Sequence, residues 1–227
     1  MAEKRVFSAT RGHFFYLLVS LFLLLLLHPF FAGAVLGRIV FLGCFSAVLF
    51  AALYAVSENR RVFTLAVAIA IPVLAGRWLG FFLESGFLAL MVQSGTALFF
   101  AFTLAILLSH VLKDEEVTGD KINGAICVYL LIGLTWGLLF SVIEAIRPGS
   151  FQMAQAPDGG TEEKLSLFVY YSFVTMTTVG YGDVLPATPV ARSLSIVEAV
   201  IGQIYLATLI ARLVGLHIVH SLKKGSR

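Results

Sequence analysis

Apolar residues in this chain come in long runs cut by short polar segments. The runs cover 14–31, 35–56, 62–82, 87–112, 122–146 and 193–219. A helix needs about 20 apolar residues to cross the hydrocarbon core of a bilayer, so these six runs predict six transmembrane helices. The separators are polar: "SENRR" at 57–61, "LESG" at 83–86 and "KDEEVTGDK" at 113–121. Segment 147–164 contains Pro, Gly, Gln and acids and predicts an exposed loop. The apolar stretch 165–176 is too short to span, a length that suits a re-entrant helix.

Composition agrees with the runs. Hydrophobic residues make up 59% of the 227 positions and charged residues only 13%, against about 25% charged in soluble domains. The balance indicates an integral membrane protein and argues against a soluble enzyme. A net charge of +3, without a basic patch interleaved with aromatics, gives no sign of nucleic-acid binding. Cys44 and Cys127 each lie inside an apolar run and read as buried thiols. Residues 3–5, the first run and "AGA" at 32–34 have the order of a secretory signal. The run exceeds the usual ~7–15 apolar residues of such a leader, so it is read as a membrane helix.

Orientation follows from Lys and Arg near the helix ends. With the N-terminus inside, ten cations fall on the cytoplasmic side: Lys4, Arg5, Arg11, Arg60, Arg61, Lys113, Lys121, Lys223, Lys224 and Arg227. Five fall outside: Arg38, Arg77, Arg147, Lys164 and Arg192. Both termini are therefore expected in the cytoplasm of a plasma membrane, read as a bacterial inner membrane. The segment 165–191 then enters from the outside.

Within that segment, "TMTTVGYGDVLPAT" at 175–188 has neither a helical nor a strand pattern. Irregular backbone cannot face lipid, because each unpaired N–H or C=O there costs several kcal/mol. It is tolerated where it is buried by protein or lines a water-filled path. Thr178 offers a hydroxyl and a carbonyl, and Val179, Gly180 and Tyr181 offer carbonyls. A row of carbonyl oxygens can replace the water around a cation and would repel an anion. Aiming them at one axis needs a backbone of alternating handedness, and Gly180 and Gly182 permit positive φ. Gly-x-Gly also opens dinucleotide fingerprints, but position 185 is Leu where a third Gly belongs, and no βαβ unit surrounds it.

Thr178-Val179-Gly180-Tyr181-Gly182 resembles the selectivity filter of potassium channels. The resemblance extends in register to the aromatic pair Tyr170-Tyr171, to Thr175 and Thr177, and to Asp183, Pro186 and Arg192. It covers roughly 122–220. It implies a two-helix pore domain at 122–227, preceded by a four-helix region at 1–121. The implied fold is an all-α membrane protein with a re-entrant pore helix and filter between helices five and six. Four chains would form the pore, so the implied partners are K+ ions, the lipid bilayer and three further copies of the chain. K+ would sit at Thr178, Val179, Gly180 and Tyr181 as permeant ion, with no cofactor. Some bacterial members carry a pore-helix Glu that pairs with the Asp after the filter. Val174 stands there in this chain, so Tyr170, a phenol that can donate, is the expected partner of Asp183.

Other residues join through the last helix. Gly202 falls at the position of the family's hinge glycine, and making room for the pore helix is its other reading. Gln203, with Leu206, Ile210 and Val214, forms a stripe at helical spacing that is expected to line the cavity below the filter. Glu198 has two readings, a functional acid at the cavity or gate and a hydrogen-bonded acid packed behind the filter. Gly133 and Gly137, and Ala207, Ala211 and Gly215, have the spacing of close helix packing. His217 and His220 read as interfacial. Asp158, Glu162, Glu163 and Asp183 are expected near the outer mouth, where they would concentrate cations. Run 87–112 contains no Lys or Arg, so the charges of a voltage sensor are missing, and Arg77 beside Trp78 reads as an interfacial anchor. The sequence thus predicts a potassium-selective channel subunit and no enzyme. A weakly selective cation channel and a non-conducting scaffold or modulatory subunit are the alternatives.

Overall fold

The computed structural model describes residues 13–27, 35–55, 60–83, 85–112, 119–154 and 161–225. Five helices precede the expected re-entrant segment: α1 (His13–Leu27), α2 (Val35–Ala55), α3 (Arg60–Phe82), α4 (Gly86–Val111) and α5 (Gly119–Ile146). Strand β1 (Phe151–Met153), helix α6 (Thr161–Met176), strand β2 (Val184–Pro186) and helix α7 (Pro189–Gly225) follow. The apolar runs set these bounds to within a few residues, and local chemistry sets the ends. Ser85 caps α4 by accepting from the Leu88 N–H at 3.4 Å. Thr188 precedes α7, its hydroxyl accepts from the Ala191 N–H at 3.4 Å, and Pro189 takes the first turn, where its missing N–H is harmless.

Among the described residues, four helices are long and apolar enough to cross a membrane, over Arg60–Gly80, Gly86–Val111, Gly119–Ile146 and Pro189–Arg212. The apolar parts of α1 and α2 are shorter, Phe14–Leu26 and Leu42–Ala55. The end of the first expected run, residues 28–31, lies outside the described residues. Pro72 sits inside α3, where neighbouring helices can satisfy the freed carbonyl.

Helix α1 packs on α2 and α5, α4 lies along α3 and α5, and α6 is held between α5 and α7. Leu17, Leu21, Val48, Leu49, Phe99 and Phe100 are among the fully buried side chains that join α1, α2 and α4. A second cluster gathers Phe140, Phe151, Phe168, Tyr171, Val184 and Ala191. Its rings meet edge to face, Phe140–Tyr171 at 5.3 Å and Phe151–Phe168 at 5.0 Å.

That cluster corrects the exposed loop expected at 147–164. Phe151 inserts into it and is buried, which fixes β1 against β2 in an antiparallel pair with Phe151 opposite Pro186 and Met153 opposite Val184. Helix α6 begins at Thr161, inside the expected loop, with Glu162 and Glu163 in its first turn where the helix dipole favours acids. Among the described residues a two-stranded sheet therefore joins an otherwise helical fold. Arg77 also departs from expectation. It is buried rather than interfacial, with its guanidinium 3.9 Å from the centre of the Phe45 ring, a contact that suits a desolvated cation.

Candidate functional site

The site is built on the end of α6. Helical hydrogen bonding continues to Thr177, whose N–H reaches the Phe173 carbonyl at 2.9 Å. The chain then turns sharply. The Thr178 N–H donates to Thr175 O at 3.0 Å, and both Val179 and Gly180 N–H groups point at Val174 O, at 3.0 and 3.3 Å. Val174 and Thr175 thus serve the segment through their carbonyls.

Backbone handedness alternates from there. Thr178, Gly180 and Gly182 have φ of 63°, 58° and 80°, while Val179 and Tyr181 keep negative φ. Glycine allows this freely, whereas a β-branched residue at positive φ is an outlier. Among the described residues no donor reaches the carbonyls of Thr178 to Gly182. Val179 and Tyr181 are exposed in the single chain, Tyr181 at 70%.

Around this strip the sequence-derived residues take distinct places. The Tyr170 hydroxyl donates to Asp183 Oδ2 at 2.7 Å, the pairing expected of its phenol, and its ring stacks on Tyr181 with centroids 6.4 Å apart. Asp183 is held further by its carbonyl, which accepts from Ala154 N at 2.8 Å, so β1 anchors the end of the strip. Tyr171 points the other way, into the aromatic cluster. Ser195 donates to Ala191 O at 2.9 Å, which leaves Tyr171 to donate to Ser195 at 2.8 Å.

The last helix meets the site through three neighbours. Gly202 is buried, and a Cβ there would overlap Met176 Cγ. This fits the reading in which glycine makes room for the helix before the strip. The Gln203 amide donates to Met176 O at 2.9 Å. Leu206 is half-buried and Ile210 exposed. Glu198 is 0% exposed, with Oε1 against Ser172 of α6. Of its two readings, the packed acid is the one this placement fits. Gly137 lets α5 approach α6 closely, since a Cβ there would lie 2.7 Å from Val169 Cα. Asp158 lies outside the described residues, as do the side chains of Val214, His217 and His220.

Ser172, Met176 and Arg212 were not singled out by sequence. Arg212 donates to Leu112 O at 2.8 Å, at the C-terminal end of α4 where a cation is favoured. Its position inside an apolar run was the available signal. Ser172 and Met176 carried none, since a serine and a methionine in an apolar helix are unremarkable.

Four helices long and apolar enough to cross a membrane indicate an integral membrane protein, and part of the chain is similar to known families. Residues 126–216 match the family described as ion channel. The chain is 37% identical over 75 residues to two pore potassium channel c of Oryza sativa subsp. japonica, covering 33% of this chain and 15% of that protein. It is 33% identical over 103 residues to two-pore potassium channel 4 of Arabidopsis thaliana, covering 45% and 34%. It is 32% identical over 89 residues to protein LctB of Bacillus caldotenax, covering 38% and 64%. The chain therefore spans less than two thirds of the length of each of these relatives. No solved structure matches it significantly. Residues 126–216 are thus similar to the ion-channel family, and parts of the chain are similar to proteins named as potassium channels.

Proposed function

We propose that this chain is one subunit of a homotetrameric, potassium-selective channel. In this reading six helices span the membrane with both termini in the cytoplasm. Residues 1–121 form a four-helix region without gating charges, and residues 122–227 form the pore. Helix α6 enters from the outside as a re-entrant pore helix, and Thr178 to Gly182 form the filter. The observation that carries the reading is the alternating handedness at Thr178, Gly180 and Gly182. Alternation turns successive carbonyls of an extended strip to the same side, and four such strips give stacked rings of oxygens that replace the water around K+. The C-terminal end of α6, with its partial negative charge, stands immediately before the strip and favours a cation.

Tyr170, Tyr171, Thr175 and Asp183 would support the filter, the first and last through their hydrogen bond and Tyr171 through the aromatic cluster. Gln203, Leu206 and Ile210 would line the cavity beneath it in the assembled pore. The two plant relatives are named as potassium channels, which supports the choice of ion.

Flux tests the proposal. Purified protein in liposomes loaded with K+ should take up tracer potassium far faster than sodium under the same gradient. Equal rates would overturn selectivity, and the absence of any flux would overturn the channel.

A further inference from the structure

Three helices meet at one buried serine. Ser172 lies on α6, and its Oγ is 2.7 Å from the Gly133 carbonyl of α5. The same Oγ is in hydrogen-bonding contact with Glu198 Oε1 of α7. Ser172 and Glu198 are both 0% exposed within the single chain, so assembly can only keep them buried. A serine hydroxyl carries one proton. One proton shared between two acceptors makes a weaker, three-centre bond, whereas two full hydrogen bonds take two protons. The hydroxyl supplies one. Among the described residues the second has one source, the Glu198 carboxyl itself.

We propose that Glu198 is a neutral carboxylic acid at physiological pH, whose proton completes a clasp that holds the helix before the filter between its two neighbours. The chain of donors runs from the Glu198 acid to Ser172 Oγ, and from Ser172 to Gly133 O. The remaining oxygen, Oε2, is buried without a hydrogen-bond partner among the described residues. As the carbonyl of a neutral acid that is a tolerable loss, whereas an ionised carboxylate with one shared donor is strongly disfavoured in such a place. The charged and titratable groups nearby do not change this. Tyr171 of α6 engages Ser195, and Arg192, earlier on α7, is exposed and donates to Pro186 O at 3.1 Å. From α5 the contact is the uncharged Gly133 carbonyl.

Glu198 is thereby a positioning residue. It acts through Ser172 on the helix that carries the filter. That role rests on the channel reading above, while the protonation state does not.

Infrared difference spectroscopy of the full-length protein in liposomes at pH 7 tests the proton directly. Subtracting Glu198→Gln from wild type should reveal a carboxylic-acid C=O stretch, at a pH where an exposed carboxyl is ionised. Ser172→Ala should shift that band by removing the acid's acceptor. A difference spectrum with only carboxylate bands, or an acid band that ignores Ser172→Ala, would overturn the clasp. Potassium uptake tests the positioning. Glu198→Gln keeps a neutral donor and should retain wild-type uptake, while Glu198→Leu keeps the volume, loses the donor and should lose sustained uptake. Equal uptake in Gln and Leu variants of equal helix content would overturn the positioning role. Wild-type protein that conducts nothing would overturn the channel reading, and the infrared band would still decide the proton.

Discussion

At Gly180 the backbone φ is +58°, and a Cβ built there meets nothing within 4 Å among the described residues. The cost of a side chain at this position is therefore conformational, not a clash within the subunit. Left-handed backbone costs an L-residue about 1–2 kcal/mol, so a ring of four would carry about 4–8 kcal/mol of strain. Gly180→Ala should abolish potassium uptake by liposomes while leaving the protein folded by circular dichroism. Unchanged selective uptake would remove the strip from the ion path. Thr178 adopts the same handedness at +63° without glycine's freedom. The sequence pointed to Gly180 and Gly182 because glycine announces positive φ. It pointed to Thr178 as a ligand but not to its positive φ, which is imposed by its neighbours. The Thr178 N–H is tied to Thr175, and the next two N–H groups converge on Val174 O. Strain of that kind persists only where surrounding bonds over-determine it, and such places cluster at functional sites.

Between helices, the contact of Gly202 with Met176 decides how the last helix is to be tested. Gly202→Ala has two possible effects, the loss of a flexible point and the displacement of Met176. Overpacking a tight contact costs typically ~1–3 kcal/mol, comparable with the ~1 kcal/mol that separates Gly from Ala in helix propensity. A double-mutant cycle separates them. If Gly202 serves as space for α6, Gly202→Ala should lower thermal stability, and shortening the neighbour with Met176→Ala should recover most of the loss. If Gly202 is a hinge, the Met176 change should leave the reduced open probability of Gly202→Ala unaltered in single-channel recordings. The helices themselves were legible in advance, because an apolar run of about 20 residues has few other folded uses. Strands β1 and β2 were not. Three residues per strand give no usable period, and the buried place of Phe151 depends on Phe140, Phe168 and Tyr171, which come from two other elements. Arg77 was misplaced for a related reason. A lone cation beside Trp78 looks interfacial, and only the packing of α3 brings its guanidinium over Phe45.

At the scale of the whole molecule, two kinds of surface remain uncovered in the single chain. The first is apolar, along α7, where Ile196, Val200, Ile204 and Ile210 are exposed. This surface does not by itself require a partner, because lipid tails cover isoleucine as well as a neighbouring helix does. The second is the strip from Thr178 to Gly182, whose carbonyls receive no donor among the described residues. Lipid cannot satisfy them, and each costs several kcal/mol if left bare at membrane depth. Five such groups outweigh any preference of α7 for lipid over protein. In the proposed reading the strip faces water and ions, enclosed by other copies of itself, and the apolar face of α7 supplies the packing that encloses it. Native mass spectrometry of the detergent-solubilised protein should then show four chains. Gly180→Ala should give the same mass, since the helices hold the assembly and the strip only uses it. A monomer that still conducts selectively would overturn this account. A tetramer that dissociates on Gly180→Ala would show instead that ion coordination in the strip is what holds the four chains together.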